Sequence, residues 1–371
     1  MLLSEGIHLM LGIMALLVGV FMFWSLPVVT NTESKIRLPF VSIIIPARNE
    51  ERRIYPLLRS LQEQRYRSFE VLVVDDHSTD RTAAIAASFG AKVLCNDAVE
   101  SGSGKSAACW RGAKHANGQW LMFLDADTSL ADADSLYRIL GFYKRQGARG
   151  ILSLQPYHTV HRLYENLSAI FNVIVIVGMN VFNRWGARFK TAGSFGPCIL
   201  CDKDEYFSTG GHRKILGAVL DDLALGQAFM DKSLPVSCMG GSGVIHFRMY
   251  PEGTRSLIEG WCKSFAVGSK STHPIVMLMT ILWISGSFIS AGALLSSVAS
   301  INPVGLALSF LLYAAYALQT MLFSRRCGNF RRWIFVFYPL LFLFFTAIHA
   351  YSLFRARILR SVRWKDRKIQ V

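Results

Sequence analysis

The chain has 371 residues, 52% of them hydrophobic, a mean hydropathy of +0.32 and a formal charge of +15. That is too apolar for an ordinary soluble protein and too charged for a pure transporter, and the length allows one large or two ordinary domains. Residues 273–371 carry eleven basic residues against Asp366 alone, beside very apolar segments, so the surplus reads as membrane-flanking charge, and no groove-reading motif points to nucleic acid.

Residues 7–29 form an unbroken apolar run, about the length of a membrane-crossing helix. No basic residue precedes it and no small-x-small site follows it, which favours an anchor over a cleaved signal. Lys35 and Arg37 follow, placing residue 31 onward on the cytoplasmic side.

Between residues 38 and 160, short apolar strands alternate with helices. The strands are VSIIIP (41–46), FEVLVVDD (69–76), AKVLC (91–95), WLMFLDAD (120–127) and ILSLQ (151–155). They are apolar on both faces, as strands of a covered parallel sheet are. Helices are expected near 50–64, 79–89, 105–116 and 134–146, with a cap signal in Ser78-Thr79-Asp80. This pattern predicts an α/β nucleotide-binding sheet with its ligand site at the carboxyl ends of the strands.

Residues 165–182 are apolar over a stretch short for a span, which favours a buried or interfacial helix. Three long apolar stretches follow, near 274–298, 302–323 and 333–354, and residues 355–371 form a basic tail. Ser300-Ile301-Asn302-Pro303 is a tight, uncharged link. The link holding Arg325, Arg326, Arg331 and Arg332 and the tail holding Arg355, Arg357, Arg360, Arg363, Lys365, Arg367 and Lys368 both read as cytoplasmic. A single crossing by 333–354 cannot satisfy both. Either that segment dips and returns, at Pro339, or the charge rule fails.

Three polar clusters close three strands: Pro46-Ala47-Arg48-Asn49-Glu50, Asp75-Asp76 and Asp125-Ala126-Asp127. Two carboxylates two residues apart at a strand end can face one ion, such as Mg²⁺ or Mn²⁺, that neutralises a diphosphate leaving group. A helix-capping turn before 134–146 is the plainer explanation of the same residues. Gly102-Ser103-Gly104-Lys105-Ser106 resembles a phosphate loop, but Val99 stands where that pattern needs glycine. Gly104 and Lys105 still suit a loop opening a helix near a diphosphate. Asp221-Asp222 opens another helix (LDDLALGQAF), after Gly210-Gly211-His212. It either caps the helix or supplies a general base for an acceptor hydroxyl. Arg248, Arg255, Trp261 and Lys263 are either membrane-interface anchors or groups closing over diphosphate or acceptor. Of the seven cysteines, Cys198 and Cys201 are the close pair. With no second pair and no suitable histidine nearby, buried reduced thiols are expected over zinc.

P-A-R-N-E (46–50), V-D-D-H-S-T-D (74–80), G-K-S-A-A (104–108), D-A-D (125–127) and the late acidic pair, in that order, resemble a family-2 inverting glycosyltransferase over residues 38–270. The flanking apolar segments resemble its membrane-attached members. L-S-L-Q-P-Y-H (152–158), S-A-I-F-N (168–172), V-G-M-N-V-F (177–182), F-R-M-Y (247–250) and E-G-W-C-K (259–263) resemble those that glucosylate a C30 carotenoid carboxylic acid. The likeness implies a GT-A fold, Rossmann-like with a mostly parallel sheet, with one N-terminal and about three C-terminal transmembrane segments. It implies that Pro46, Arg48, Glu50 and Asp76 hold the uridine of a UDP-sugar, with Lys105 as helper at the diphosphate. Asp125 would contact the ribose or sugar, Asp127 with Asp125 the metal, and Asp222, with Asp221 in the Glu place, would be the catalytic pair. The family's later Q-x-x-R-W motif is absent. Trp261 and Lys263 stand roughly where it belongs, which argues against processive polymer synthesis.

The reaction so implied is transfer of a hexose, glucose, to a lipid-soluble acceptor at the cytoplasmic face of the cell membrane. A carboxylate acceptor arrives ionised and needs no base; a hydroxyl acceptor needs one. A glycolipid or polyprenyl-phosphate glycosyltransferase shares the scaffold and differs only in acceptor. A non-catalytic membrane scaffold would make Asp127 dispensable.

Overall fold

The computed structural model describes residues 2–30, 36–96, 104–218, 220–268, 271–300, 302–355, 361–364 and 367–370. Lys35, Gly102, Ser103, Arg357, Arg360 and Lys365 of the motifs above lie outside the described residues. The chain forms two compact units, residues 27–159 with 191–249, and residues 1–26 with 160–190 and 250–371. Residues 160–190 and 250–270, expected within the catalytic domain, thus fall in the second unit.

The first unit is an α/β body. Its main strands are β1 (Val41–Ala47), β2 (Phe69–Asp75), β3 (Lys92–Cys95), β4 (Trp120–Leu124), β6 (Ile151–Gln155), β8 (Cys198–Asp202) and β9 (Val236–Gly240). They form one sheet in the order β3-β2-β1-β4-β8-β6-β9. All run parallel except β8, which is antiparallel to both β4 and β6. The mostly parallel sheet is therefore a mixed one. Short strands β5 (Thr128–Leu130), β7 (Tyr157–His158) and β10 (Ile245–Phe247) make a second sheet in the order β5-β10-β7. β2 and β3 extend to one side of β1 and β4 pairs on the other, so the order reverses between β1 and β4. The carboxyl ends of these strands meet there, the place where open α/β sheets bind ligands.

The central strands are largely apolar because both faces are covered, whereas the edge strand β3 leaves Lys92 and Cys95 exposed. Ile43, Ile45 and Val73 face one buried cluster, with Leu57, Leu61, Leu136 and Leu140 from the helices Ile54–Gln62 and Ser135–Arg145. Ile44, Leu72 and Val74 face the other, with Ala108 and Ala113 of the helix Lys105–Lys114. A Cβ at Gly112 would meet Ile44 Cγ2 at 2.4 Å, so that helix lies directly on β1. Cys198 and Cys201 alternate between the two clusters, which keeps them from sharing a ligand. Burial pushes both thiols up in pKa. A hollow of about 610 Å³, lined by Arg37, Phe40, Gln119 and Lys144 among others, opens at the opposite, amino ends of β1 and β4.

The second unit is helical and apolar. The expected run 7–29 is not one element. Its helix ends at Met22, while Val28 bridges to Gly240 in the α/β unit; Ser25 and Pro27 interrupt it. The apolar helix Gly6–Met22 is shorter than the three helices that, among the described residues, are long and apolar enough to cross a membrane, Pro274–Ser300, Pro303–Cys327 and Arg332–Phe354. Small residues allow close packing among them. A Cβ at Gly19 would meet Trp283 at 2.5 Å, and one at Gly286 would meet Tyr316 Oη at 2.1 Å. Trp283 Nε1 donates to Gln319 Oε1 (2.8 Å), whose Nε2 donates to the Leu16 carbonyl (2.8 Å). Asn302 caps the second long helix by accepting from Gly305 N–H, with Pro303 in its first turn.

Residues 163–177 form a 3₁₀ turn and a helix, Ala169–Val177, buried on most sides. Trp261, in the helix Thr254–Gly268, donates its indole N–H to Ser168 Oγ (3.0 Å) and stacks on Phe171 (4.8 Å between centroids). Both ends of Arg332–Phe354 join this layer: Arg331 N–H donates to Asn166 Oδ1 (2.9 Å) and Ser352 Oγ to the Cys262 carbonyl (2.6 Å). Its middle lies elsewhere. Tyr313 Oη donates to the Val336 carbonyl (2.6 Å), and Tyr338 Oη bonds Ser290 Oγ (2.6 Å), each partner far inside a long helix. The segment is a 3₁₀ stretch, Arg332–Phe337, followed by the helix Tyr338–Phe354 with Pro339 in its first turn.

Candidate active site

The loops after β1 and β2 are bound to each other. Asp76 N–H donates to the Ala47 carbonyl (2.8 Å), Asn49 N–H to Ser78 Oγ (3.0 Å), Thr79 N–H to Asn49 Oδ1 (2.8 Å) and Glu50 N–H to Thr82 Oγ1 (2.8 Å). Asn49 and His77 both sit at positive φ, +53° and +58°, a conformation Asn tolerates better than most residues. These turns aim three polar groups at one place. Asp76 Oδ1 accepts from Asn96 Nδ2 at the end of β3 (2.7 Å), and Oδ2 accepts from Gly104 N–H (3.1 Å). Arg48 Nη1 lies 3.6 Å from the same Oδ2. Glu50 pairs with Arg53 (3.8 Å). Pro46 lies opposite Val74 in the β1–β2 register. Asp75 is 9% exposed, and its Oδ1 has no hydrogen-bond partner among the described residues.

After β4 the chain turns sharply. Asp125 N–H donates to the Pro197 carbonyl (3.0 Å), and the Asp125 carbonyl accepts from Thr128 N–H (3.1 Å) and Oγ1 (2.8 Å). Asp125-Ala126-Asp127 thus closes a strand, as expected, rather than capping the helix Ser135–Arg145. The Asp127 carbonyl accepts from Arg248 N–H (3.3 Å) just after β10. The structure therefore brings Arg248 beside the D-x-D turn. Trp261 and Lys263 belong to the helical unit, where the Trp261 indole is 3% exposed and packed.

Lys105 joins two of the carboxylate groups. Its Nζ is 2.9 Å from Asp125 Oδ1 and 3.1 Å from Asp222 Oδ1. Ser106 Oγ donates to Asp221 Oδ2 (3.2 Å). Burial works against the Lys105 charge, but Asp125, Asp222 and Asp221 outweigh it and raise its pKa well above the ordinary lysine value. Burial, then the neighbouring Asp221 charge, pushes the Asp222 carboxyl up to about 7, against the pull of Lys105. The Lys105 and Asp222 side chains stay 30% and 25% exposed, so water still reaches the cluster.

A loop absent from the sequence expectations holds the acidic pair. Ser194 Oγ donates to the Asp222 carbonyl (2.6 Å). A Cβ at Gly196 would meet Asp222 Oδ2 at 1.7 Å, and one at Gly226 would meet Gly193 and Ser194 backbone at 2.5 Å. The helix Asp221–Met230 therefore starts directly against residues 193–196. The glycine pair in T-A-G-S-F-G (191–196) was the available signal. Asn96 was also unforeseen, as was the bond from Ser106, of the G-K-S-A-A motif, to Asp221. His212, by contrast, is a core residue: its Nδ1 bonds Tyr206 Oη (3.0 Å), and burial lowers its pKa to about 4.

No group of three or more His, Cys, Asp or Glu side chains able to hold a metal occurs among the described residues. Asp125 and Asp127 are both partly exposed at the turn. Two carboxylates two residues apart fit a hard divalent ion that takes its other ligands from phosphate and water.

Residues 42–195 match the model of the glycosyl transferase family 2. The chain is 40% identical over 334 residues to the 4,4'-diaponeurosporenoate glycosyltransferase of Staphylococcus aureus strain MRSA252, covering 89% of this chain and 88% of that protein. The protein of the same name from strain USA300 is 39% identical, with the same coverage. A mannosyltransferase from Pyrobaculum calidifontis, in complex with GDP-Man and Mn²⁺, superposes with a TM-score of 0.56 at 18% identity, over 94% of this chain and 98% of that one. The family match and the 40% identity over most of both chains make this protein a glycosyltransferase, and the chain belongs to glycosyl transferase family 2.

Proposed function

We propose that the protein transfers glucose from UDP-glucose, with inversion, to the carboxylate of a C30 carotenoid acid, 4,4'-diaponeurosporenoate. The observation that carries the donor half is the convergence of Asp76, Lys105, Asp125 and Asp222 at the carboxyl ends of β1, β2 and β4. The relatives' shared name carries the acceptor half. Arg48, Glu50, Pro46 and Asp76 border the uridine side, and Asp125 the ribose or sugar. Asp127 and Asp125 would hold Mg²⁺ or Mn²⁺, which when bound neutralises charge developing on the diphosphate. Arg248, tied to the same turn, stands on the diphosphate or acceptor side.

The acceptor oxygen attacks the anomeric carbon as the bond to the diphosphate oxygen breaks, and UDP leaves with the bonding pair. A carboxylate is already ionised at neutral pH, so no proton has to be removed. Asp222 then orients groups at the reacting face. One observation favours a second reading: a carboxyl with a pKa near 7 suits a general base. That would fit a hydroxyl acceptor such as a glycolipid. Incubating membranes with radiolabelled UDP-sugars and extracted lipids, then identifying the labelled lipid, separates the readings; a labelled glycolipid without labelled carotenoid would overturn the first.

We also propose a membrane placement, which the helical unit supports. The helix Gly6–Met22 serves as an N-terminal membrane anchor, and Pro274–Ser300 and Pro303–Cys327 cross the bilayer. Arg332–Phe354 dips in and returns, since both its ends join the layer at Asn166 and Cys262. Arg325, Arg326 and the basic tail then share the cytoplasmic side with the catalytic unit, as the charge rule requires. Tags at residue 329 and at the C-terminus responding oppositely to protease in sealed vesicles would contradict this.

A further inference from the structure

The Lys105 ammonium sits among the carboxylates of the candidate site. Its Nζ lies 2.9 Å from Asp125 Oδ1, 3.1 and 3.4 Å from the two Asp222 oxygens, and 3.5 Å from the Gly196 carbonyl. Several oxygens around one cation is the kind of environment a hard metal ion also takes. Lys105 is the first residue of its helix, so its backbone is fixed while its long side chain can swing. A divalent ion approaching Asp125 alone meets this positive charge and a carboxylate already paired. A diphosphate changes both terms: it brings negative charge for Lys105 to pair with and oxygen ligands for the ion.

We propose that Lys105 is an internal counter-cation that holds Asp125 and Asp222 in the donor-free protein, excludes a divalent ion from binding alone, and yields when the nucleotide diphosphate arrives. Cation and nucleotide then enter together, each raising the affinity for the other by the same factor. This inference rests on the reading that Asp125 and Asp127 hold the ion. It makes Lys105 a positioning residue as well as a diphosphate partner.

The test is a Mn²⁺ titration of the full chain in detergent, followed by electron paramagnetic resonance, with and without UDP. Wild type should bind Mn²⁺ weakly alone and at least about tenfold more tightly with UDP. Lys105→Gln should bind Mn²⁺ alone at least about tenfold more tightly than wild type, because one like charge has left the site. Its coupling to UDP should shrink. Lys105→Met should show the same gain, and Lys105→Arg should behave as wild type, since charge is what matters. The inference falls if neither neutral variant gains Mn²⁺ affinity in the absence of UDP. A lysine that only holds diphosphate gives that result, with weaker UDP binding. If wild type with UDP binds no Mn²⁺, the metal reading falls first and this inference with it.

Discussion

The two units use buried polar groups in opposite ways. In the α/β unit they gather near strand ends: Asp76 accepts from Gly104 N–H, the next residue, Lys105, is shared by Asp125 and Asp222, and Ser106 donates to Asp221. In the helical unit they are spread out: some are closed in pairs, Trp283 with Gln319, Ser297 with Ser309, Trp261 with Ser168, Ser352 with a carbonyl, while Tyr316 Oη and Thr320 Oγ1 have no hydrogen-bond partner among the described residues. The first pattern concentrates charge on one reacting place. The second joins apolar helices, which have little hydrophobic force between them in lipid. Convergence of charge, rather than burial of polarity, is what singles out the candidate site.

The largest effect should come from the D-x-D turn. Asp127→Ala should lower transfer by on the order of 10³-fold, as loss of a charge stabiliser does, and EDTA should abolish activity until Mn²⁺ or Mg²⁺ is restored. Undiminished transfer in chelator would remove the turn from the chemistry. Next comes the unforeseen loop. Gly196→Ala forces the Asp222 carboxylate aside, which should cost about 10²-fold in kcat with a hydroxyl acceptor and less than about tenfold with a carotenoid acid, the protein still folded. An unaffected rate would show that the position of Asp222 is unimportant.

Asp222→Asn divides the acceptors. With a carotenoid acid the loss should stay below about tenfold; with a long-chain alcohol it should reach roughly 10²–10⁴-fold. The pH profile follows the same logic. The Asp222 carboxyl is raised to about 7, so its ionised form declines as pH falls through that value. A base-dependent reaction should slow there on the acid side, and transfer to a carboxylate should not. Asp221→Asn, assayed in parallel, reports the effect of charge alone. The smallest effect is expected in the helical unit. Trp261→Phe removes the hydrogen bond to Ser168 and should cost about 1 kcal/mol of stability. The KM for the UDP-sugar should not change, and a shift in it would return Trp261 to the diphosphate or acceptor side.

The sheet was legible because its strands are covered on both faces, which makes them continuous apolar runs that end abruptly in polar residues. Those polar ends make up the proposed site, so Arg48, Asp76 and Asp125 could be read with the strands. β8 could not: CILCD has the same run length as its parallel neighbours, and nothing local records that it runs the other way. The Gly193–Gly196 loop was missed because glycines that make room for a distant carboxylate reveal their purpose only in three dimensions. In the helical unit, apolarity on all sides erased the period that tells a span from a buried helix, as at Ala169–Val177. The charge conflict around 333–354 was visible in sequence. Its geometry required the bonds from Arg331, Tyr338 and Ser352.

The most direct test of the function is the bond formed in the product. Purified protein should be given radiolabelled UDP-glucose, a divalent ion and either the C30 carotenoid acid or a long-chain alcohol, and the lipid product treated with mild alkali. Transfer to a carboxylate makes a glycosyl ester, so label should enter the carotenoid and be released by alkali. Label that enters the alcohol in preference and survives the treatment would contradict the assignment.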